Sequence, residues 1–185
     1  PLCLNTQKGT VEEFRSGIHA YEPKVAELAE MGVDVINPSG APPFMVAGYE
    51  AEKELIKTWE KKYKTPIFTS GTSTINALRA LKVKRFVGVT YFGGEEDNKI
   101  YGKYYTDAGL EVMEMVGMDV PFKKVQELAG RVVYAFAKQA FMRNKGAEAI
   151  YLLGPGWRTL DIVQALEDDL EVPVIHAIPT QSWDI

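Results

Sequence analysis

Two bends in this sequence combine the residue types that hold anions. At 149–161 an apolar run, Ala149 to Leu153, stops at Gly154-Pro155-Gly156 and continues as Trp157-Arg158-Thr159-Leu160-Asp161, which reads as a helix. A strand that turns through glycine into a helix exposes backbone N–H groups, and the helix N-terminus adds the positive end of its dipole. The stretch 33–44 has a similar outline, an apolar run followed by Asn37-Pro38-Ser39-Gly40-Ala41-Pro42-Pro43. Read together, the bends are facing walls of one anion site. Gly40 and Ala41 stand beside Ser39 on one side, and Gly154, Gly156 and Trp157 on the other.

Side chains near other strand ends could complete such a site. Ser70-Gly71-Thr72-Ser73 offers hydroxyls at a helix start, where Thr72 and Ser73 either hold a carboxylate or serve as an ordinary cap. Tyr91 ends a predicted strand and either donates its phenol to an anion or is a plain aromatic at a domain rim. His176 ends the last predicted strand; His19, the other histidine, falls on a helix. Arg158 falls in the first turn of a predicted helix, against the dipole preference, which calls for a charge partner or a ligand. Proton transfer needs a carrier, and Ser39, Tyr91 and His176 are the candidates. A Walker loop, a dinucleotide fingerprint and a histidine pair at ligand spacing are missing, so the sequence offers no nucleotide or metal motif. The acidic clusters Glu95-Glu96-Asp97 and Asp168-Asp169 read as solvated helix ends.

The elements that must position these residues alternate. Residues 1–5 read as a short strand. Thr10 and Glu13 have capping-box spacing for a helix from Val11 that runs to Gly32, with Pro23 kinking it. A strand at 33–36, a non-helical loop at 37–43 and an amphipathic helix at 49–63 follow. Next come a strand at 65–69, a helix capped by 70–73 and running to Leu81, a strand at 84–90 and a helix ending near Ala108, with Gly109 as its C-cap. A strand at 110–115, a long helix at 122–144, a strand at 149–153, a helix at 157–170 and a strand at 173–177 complete the pattern. Most strands are apolar without alternation, as in parallel sheets buried on both faces. The fold class is therefore α/β, with ligands beyond the carboxyl ends of the strands.

Composition sets the outer bounds. The 185 residues suffice for one large domain or two small lobes around a cleft. A net charge of −4 gives no reason to expect nucleic acid or an anionic membrane surface. No apolar run approaches the roughly 20 residues of a membrane span. Cys3 is the only cysteine, which rules out an internal disulfide or cysteine metal cluster and fits a cytoplasmic protein.

The segment Thr72-Ser73-Thr74-Ile75-Asn76-Ala77-Leu78-Arg79-Ala80-Leu81, then Val83 to Tyr91 and Asn98, resembles the arylmalonate decarboxylase and maleate isomerase branch of the Asp/Glu racemase superfamily. So does Gly156-Trp157-Arg158-Thr159-Leu160-Asp161, followed by Leu166-Glu167 and Val172-Pro173-Val174. The likeness runs from about Gly9 to Trp183. It implies two similar α/β parallel-sheet lobes related by a pseudo-twofold, with the ligand cleft between them. Residues 1–68 with 171–185 would form the first lobe and 69–170 the second. The strand that normally opens the first lobe is not found; either the chain is shortened or residues 1–5 replace it.

Members of this family work without cofactors on small carboxylates, using two facing cysteines or, in the decarboxylases, the second alone. The first cysteine position falls at Ser39 or Gly40 and the second at Gly154, so both thiols are absent. Gly40 and Ala41 fall where threonine and serine donors often lie. Tyr91 lies beside the family tyrosine position, which an ungapped match puts at Phe92. The resemblance thus implies a cofactor-independent decarboxylase or isomerase with a non-cysteine acid/base, acting on a small carboxylate as a homo-oligomer. The alternative is a member that binds carboxylates without turning them over.

Overall fold

The computed structural model describes residues 6–185, so the strand expected at 1–5, and Cys3 with it, lie outside the described residues. Thr10 caps helix α1 (Val11–Gly17), its side chain accepting the Glu13 N–H at 3.3 Å. The Glu13 carboxylate does not close a reciprocal box. It accepts the amides of Gln7, Lys8 and Gly9 at 2.7, 2.8 and 2.7 Å and so ties down the chain before the helix. A 3₁₀ turn at Ile18–Ala20 separates α1 from α2 (Tyr21–Glu30). The break therefore precedes Pro23, which sits in the first turn of α2, where a missing N–H forfeits no helical bond.

The loop expected at 37–43 is corrected in its second half. Ala41-Pro42-Pro43 is the first turn of α3 (Ala41–Ala47), because proline is preorganised for that turn. After Gly48, α4 (Tyr49–Tyr63) follows as expected and buries Trp59. The strands expected at 33–36 and 65–69 shrink to one parallel bridge, Ile36 to Ile67. Pro66 has no N–H to extend that ladder, Asp34 is exposed, and Val33 and Val35 are only half-buried. What holds this lobe is a side-chain core of Tyr21, Val25, Ile36, Phe44, Trp59 and Ile67.

The other lobe is a parallel sheet between helices. Its elements are α5 (Ser70–Ala80), β1 (Arg85–Thr90), α6 (Glu95–Asp107), β2 (Glu111–Gly117), α7 (Gly130–Arg143), β3 (Ala149–Leu153), α8 (Leu160–Leu170), β4 (Val174–His176) and α9 (Ala177–Asp184). The strand order is β2-β1-β3-β4, with Val89 opposite Leu152 and Leu152 opposite His176. Every residue of β3 is buried, as its uninterrupted apolar run requires. All strands point the same way, so Tyr91, Gly154 and Ala177 leave the sheet at one edge.

Four expectations change here. The N-cap of α5 is Thr69, one residue before the expected 70–73 cluster, and of that cluster the Thr72 hydroxyl completes a reciprocal capping box with it. The long helix expected at 122–144 is a 3₁₀ turn, Phe122–Glu127, then extended residues and α7. Helix α8 starts at Leu160 rather than Trp157, so Arg158 lies in the preceding loop, just before the N-cap Thr159, and not in the first turn. Residues 174–176 pair with β3 and α9 packs on α5, which moves the tail expected in the first lobe onto the second.

One buried carboxyl joins the lobes. Glu52 of α4 has no exposed surface and accepts the hydroxyls of Thr69 and Tyr104. Burial outweighs these two donors and pushes its pKa from 4.5 up to about 7. The unfolded chain ionises Glu52 near 4.5, while the folded chain holds the proton to about 7. Folding stability from this group is therefore full below pH 4.5, falls as pH rises to 7 and levels off above. A shift of this size corresponds to about 3 kcal/mol. Denaturant titrations of wild type and Glu52→Gln are expected to show the variant gaining on wild type by that order between pH 4 and pH 8; parallel pH curves would contradict the assignment.

Candidate functional site

Gly40 and Gly154 adopt the same backbone angle, φ +108°. That value strongly favours glycine at each bend. The two bends are adjacent: both line one small gap with Ala41, Ser70, Leu153, Pro155, Ala177 and Gln181. The gap measures about 10 Å³, room for roughly one water. Space for a ligand lies beside it, in a cavity of about 650 Å³. Ser39, Gly40, Tyr21, Tyr91 and Pro155 line it together with Lys24, Glu27 and Asn37, and Phe14, Phe92 and Phe122 are among its apolar walls.

A phenol stands over each bend. A β-carbon on Gly154 would lie 2.5 Å from Cε1 and 2.7 Å from the oxygen of Tyr91. A β-carbon on Gly40 would lie 2.9 Å from the oxygen of Tyr21. Tyr91 is held edge-on against Trp157 at 5.2 Å and tilted against Phe92 at 4.4 Å between ring centres. Burial pushes its phenol above the usual range, against a smaller pull from the Gly156 backbone amide beside the oxygen. Tyr21, which opens α2, donates its hydroxyl to the Ser39 carbonyl at 2.9 Å; burial raises its pKa too. Both phenols are thus proton donors at neutral pH.

The first bend has fewer donors than its sequence implies. The Gly40 amide donates to Ser70 Oγ at 3.1 Å, and Pro42 and Pro43 have no amide hydrogen. Ala41 is buried at the head of α3 and lines the gap. Ser39 is exposed, lines the cavity and places its hydroxyl 3.2 Å from Gln181 Oε1. In the second bend Pro155 lacks an N–H, while Gly156 lies under the Tyr91 phenol and Trp157 is buried.

Three of the residues expected here have other jobs. Thr72 and Ser73 bond within the α5 cap: Thr72 closes a reciprocal pair with Thr69, and Ser73 Oγ donates to the Thr69 carbonyl at 3.0 Å. Neither lines the cavity. The buried imidazole of His176 caps α9, its Nδ1 accepting the Ile178 N–H at 3.2 Å. Its proton must then sit on Nε2, which is buried without an acceptor, so His176 has no free lone pair with which to take a proton. Arg158 is exposed and lines none of the gap or the cavity. Conversely, Tyr21 and Gln181 are not among the expected site residues, and Ser70 is expected only as a member of the 70–73 hydroxyl cluster. Tyr21 looked like a core position of a helix, Ser70 like part of a cap, and Gln181 lay in a tail too short to interpret.

Among the described residues no cluster of three or more metal-ligating side chains occurs, and no helix is long and apolar enough to cross a membrane. Burial holds the His176 pKa down from 6.5 to about 4. A lowered histidine pKa leaves stability full above 6.5 and removes it as pH falls towards 4, because the unfolded chain takes the proton first. His176→Asn keeps a capping acceptor without the titration. It is expected to lose this acid-side slope, worth about 3 kcal/mol, in melts recorded between pH 4 and pH 7.

The family model of arylmalonate decarboxylase matches residues 3–185. No curated protein matches the sequence. Solved structures do match. A double mutant of arylmalonate decarboxylase in a liganded form is 21% identical with a TM-score of 0.90, over 98% of this chain and 77% of that one. The maleate isomerase Iso from Pseudomonas putida S16 is 20% identical with a TM-score of 0.88, over 97% and 74%. The maleate cis-trans isomerase of Nocardia farcinica bound to TRIS is 18% identical with a TM-score of 0.88, over 97% and 74%. At such identities these structures speak for the two-lobed α/β fold, and the family model speaks for descent: the chain belongs to the arylmalonate decarboxylase family.

Proposed function

We propose that this chain is a cofactor-independent lyase or isomerase acting on a small carboxylate, with the Tyr91 phenol moving the proton. The observation that carries the reading is the Tyr91 ring in the space above Gly154, at the wall of a ligand-sized cavity that Ser39 and Gly40 share. The family supports the activity class, and a variant of the Pseudomonas putida isomerase has been solved with maleate.

For decarboxylation the steps balance as follows. The bond from the α-carbon to the departing carboxylate breaks, carbon dioxide leaves, and the electron pair remains as an enediolate on the rest of the acid. Of the groups that line the cavity, the Ser39 hydroxyl is placed to stabilise that charge. The Tyr91 O–H bond breaks, its proton forms the new C–H bond, and the phenolate recovers a proton from water. The Tyr21 phenol and the side chains of Thr6, Lys24, Glu27 and Asn37 are the other polar groups that line the cavity. The reading thus keeps Tyr91 and Ser39 from the sequence expectations and assigns no proton transfer to His176.

A second reading, a carboxylate binder without turnover, is favoured by the narrow gap between the bends and by the lack of a thiol at positions 39, 40 and 154. Assays on malonates, maleate and hydantoins separate the two. Turnover is expected in wild type, and Tyr91→Phe is expected to lower kcat by about 10²–10⁴-fold with little change in KM. An unchanged kcat would remove Tyr91 from the chemistry. A dicarboxylate that raises the melting temperature without being consumed would establish the binder instead.

A further inference from the structure

Glu52 lines neither the gap nor the cavity beside it, yet its hydrogen bonds lead to the first bend. We propose that Glu52 is a positioning residue that sets the first bend from a distance, through Thr69 and Ser70, according to its state of protonation. This does not depend on which acid the cavity takes.

The path is short. Thr69 Oγ1 sits between Glu52 and the head of α5, giving its proton to the carboxylate and accepting the Thr72 N–H at 3.1 Å. Ser70, the next residue, accepts the Gly40 N–H at 3.1 Å. Tyr104 closes the joint from the other side: it donates to the second Glu52 oxygen, and its phenol occupies the space where Gly71 would carry a β-carbon. The first turn of α5 therefore rests on the two hydroxyl groups that Glu52 holds.

Two donors on two carboxyl oxygens is the arrangement of an ionised acid. A protonated Glu52 brings a hydrogen of its own, so one of its partners must turn from donor to acceptor. Thr69 has a place to turn, because Thr72 Oγ1 lies 3.2 Å away and either oxygen can be the donor of that pair. Reversing the Thr69 hydroxyl changes the cap that fixes Ser70, and Ser70 fixes Gly40. The remaining neighbours do not compensate a change of charge. The Tyr49 phenol of the same helix packs edge-on to Tyr104 at 5.7 Å. Helix α3 presents no ionisable side chain, and the groups joining α2 to α4, Glu22 with Lys62 and Tyr63, belong to the far end of α4. No cation forms an ion pair with Glu52 among the described residues.

The test reads the bend directly, without a substrate. In two-dimensional NMR of the full chain, the amide signals of Ser70 and Gly40 are expected to move together with a single midpoint near pH 7. Glu52→Gln is expected to flatten both. Thr69→Ser, which keeps the hydroxyl, is expected to preserve the titration, and Thr69→Val is expected to abolish it at Gly40. A Gly40 signal that is flat in wild type overturns the proposal. So does one that titrates equally in Thr69→Val, since the effect would then pass through space rather than through the hydroxyl. If turnover is found, the pH profile of kcat/KM is expected to lose its inflection near 7 in Glu52→Gln while keeping its maximum within about threefold.

Discussion

The packing of the Tyr91 ring into the space above Gly154 is the constraint on which the site depends. A left-handed glycine at the end of β3 lets the chain turn without a side chain, and the aromatic ring takes the vacated volume. The two features require each other. Any side chain at position 154 would carry backbone strain of about 1–2 kcal/mol and also drive against the phenol at sub-van der Waals distance. A thiol at this bend and a tyrosine in this pose are therefore mutually exclusive. The volume a side chain at 154 would need is thus filled by the Tyr91 ring, and the bend leaves no hole there.

The first bend repeats the backbone geometry and changes the chemistry. Gly40 shares the angle of Gly154, and Tyr21 lies over it as Tyr91 lies over its counterpart. Yet the Gly40 amide is committed to Ser70, and the next two residues have none to offer. This wall works as a brace: Tyr21 holds the Ser39 carbonyl, Ser70 holds the Gly40 amide, and Ser39 meets Gln181 of α9. Its rigidity comes from contacts between lobes, so the bend reports on how the lobes are joined. That junction is the buried carboxyl of Glu52, which is why a residue outside the cavity bears on its shape.

How much of this could be read from the sequence follows from where the information resides. β1 and β3 were legible because strands buried on both faces must be apolar throughout, and 86–90 and 149–153 are nearly so. The bends were legible because glycine and proline cluster there for backbone reasons that are local. The first-lobe strands were not, because Val33 and Val35 look like core while Pro66 and Asp34 decide otherwise. Pro42-Pro43 looked like a helix breaker and was a helix start, since the two positions differ only in what precedes them. Glu52 was invisible for a deeper reason. It sits among Glu50, Lys53 and Glu54 in a helix that reads as a charged surface, while its partners Thr69 and Tyr104 lie 17 and 52 residues away. His176 shows the converse case: a strand-end histidine looked chemical, and a backbone amide two residues on had already claimed its lone pair.

The two raised phenols also bear on which of the family's chemistries suits this chain. A buried phenol with a pKa above the usual range starts the cycle protonated, and forming the phenolate first would require work against burial. Reactions that begin by abstracting a proton, or by attack of an anionic nucleophile, place that cost at the start. The covalent succinylcysteine seen in a mutant of the Nocardia farcinica isomerase is an intermediate of the nucleophilic kind, and neither bend here has a thiol to form it. Decarboxylation reverses the order. The bond to carbon dioxide breaks first, charge builds on the substrate, and the enzyme is asked only for a proton. By then the enediolate is a strong base next to a reluctant acid, and the phenolate left behind can be met by the Gly156 amide that already lies at the Tyr91 oxygen. Within the proposed function, the lack of a thiol at either bend and a phenol that starts protonated fit the lyase better than a nucleophilic isomerase.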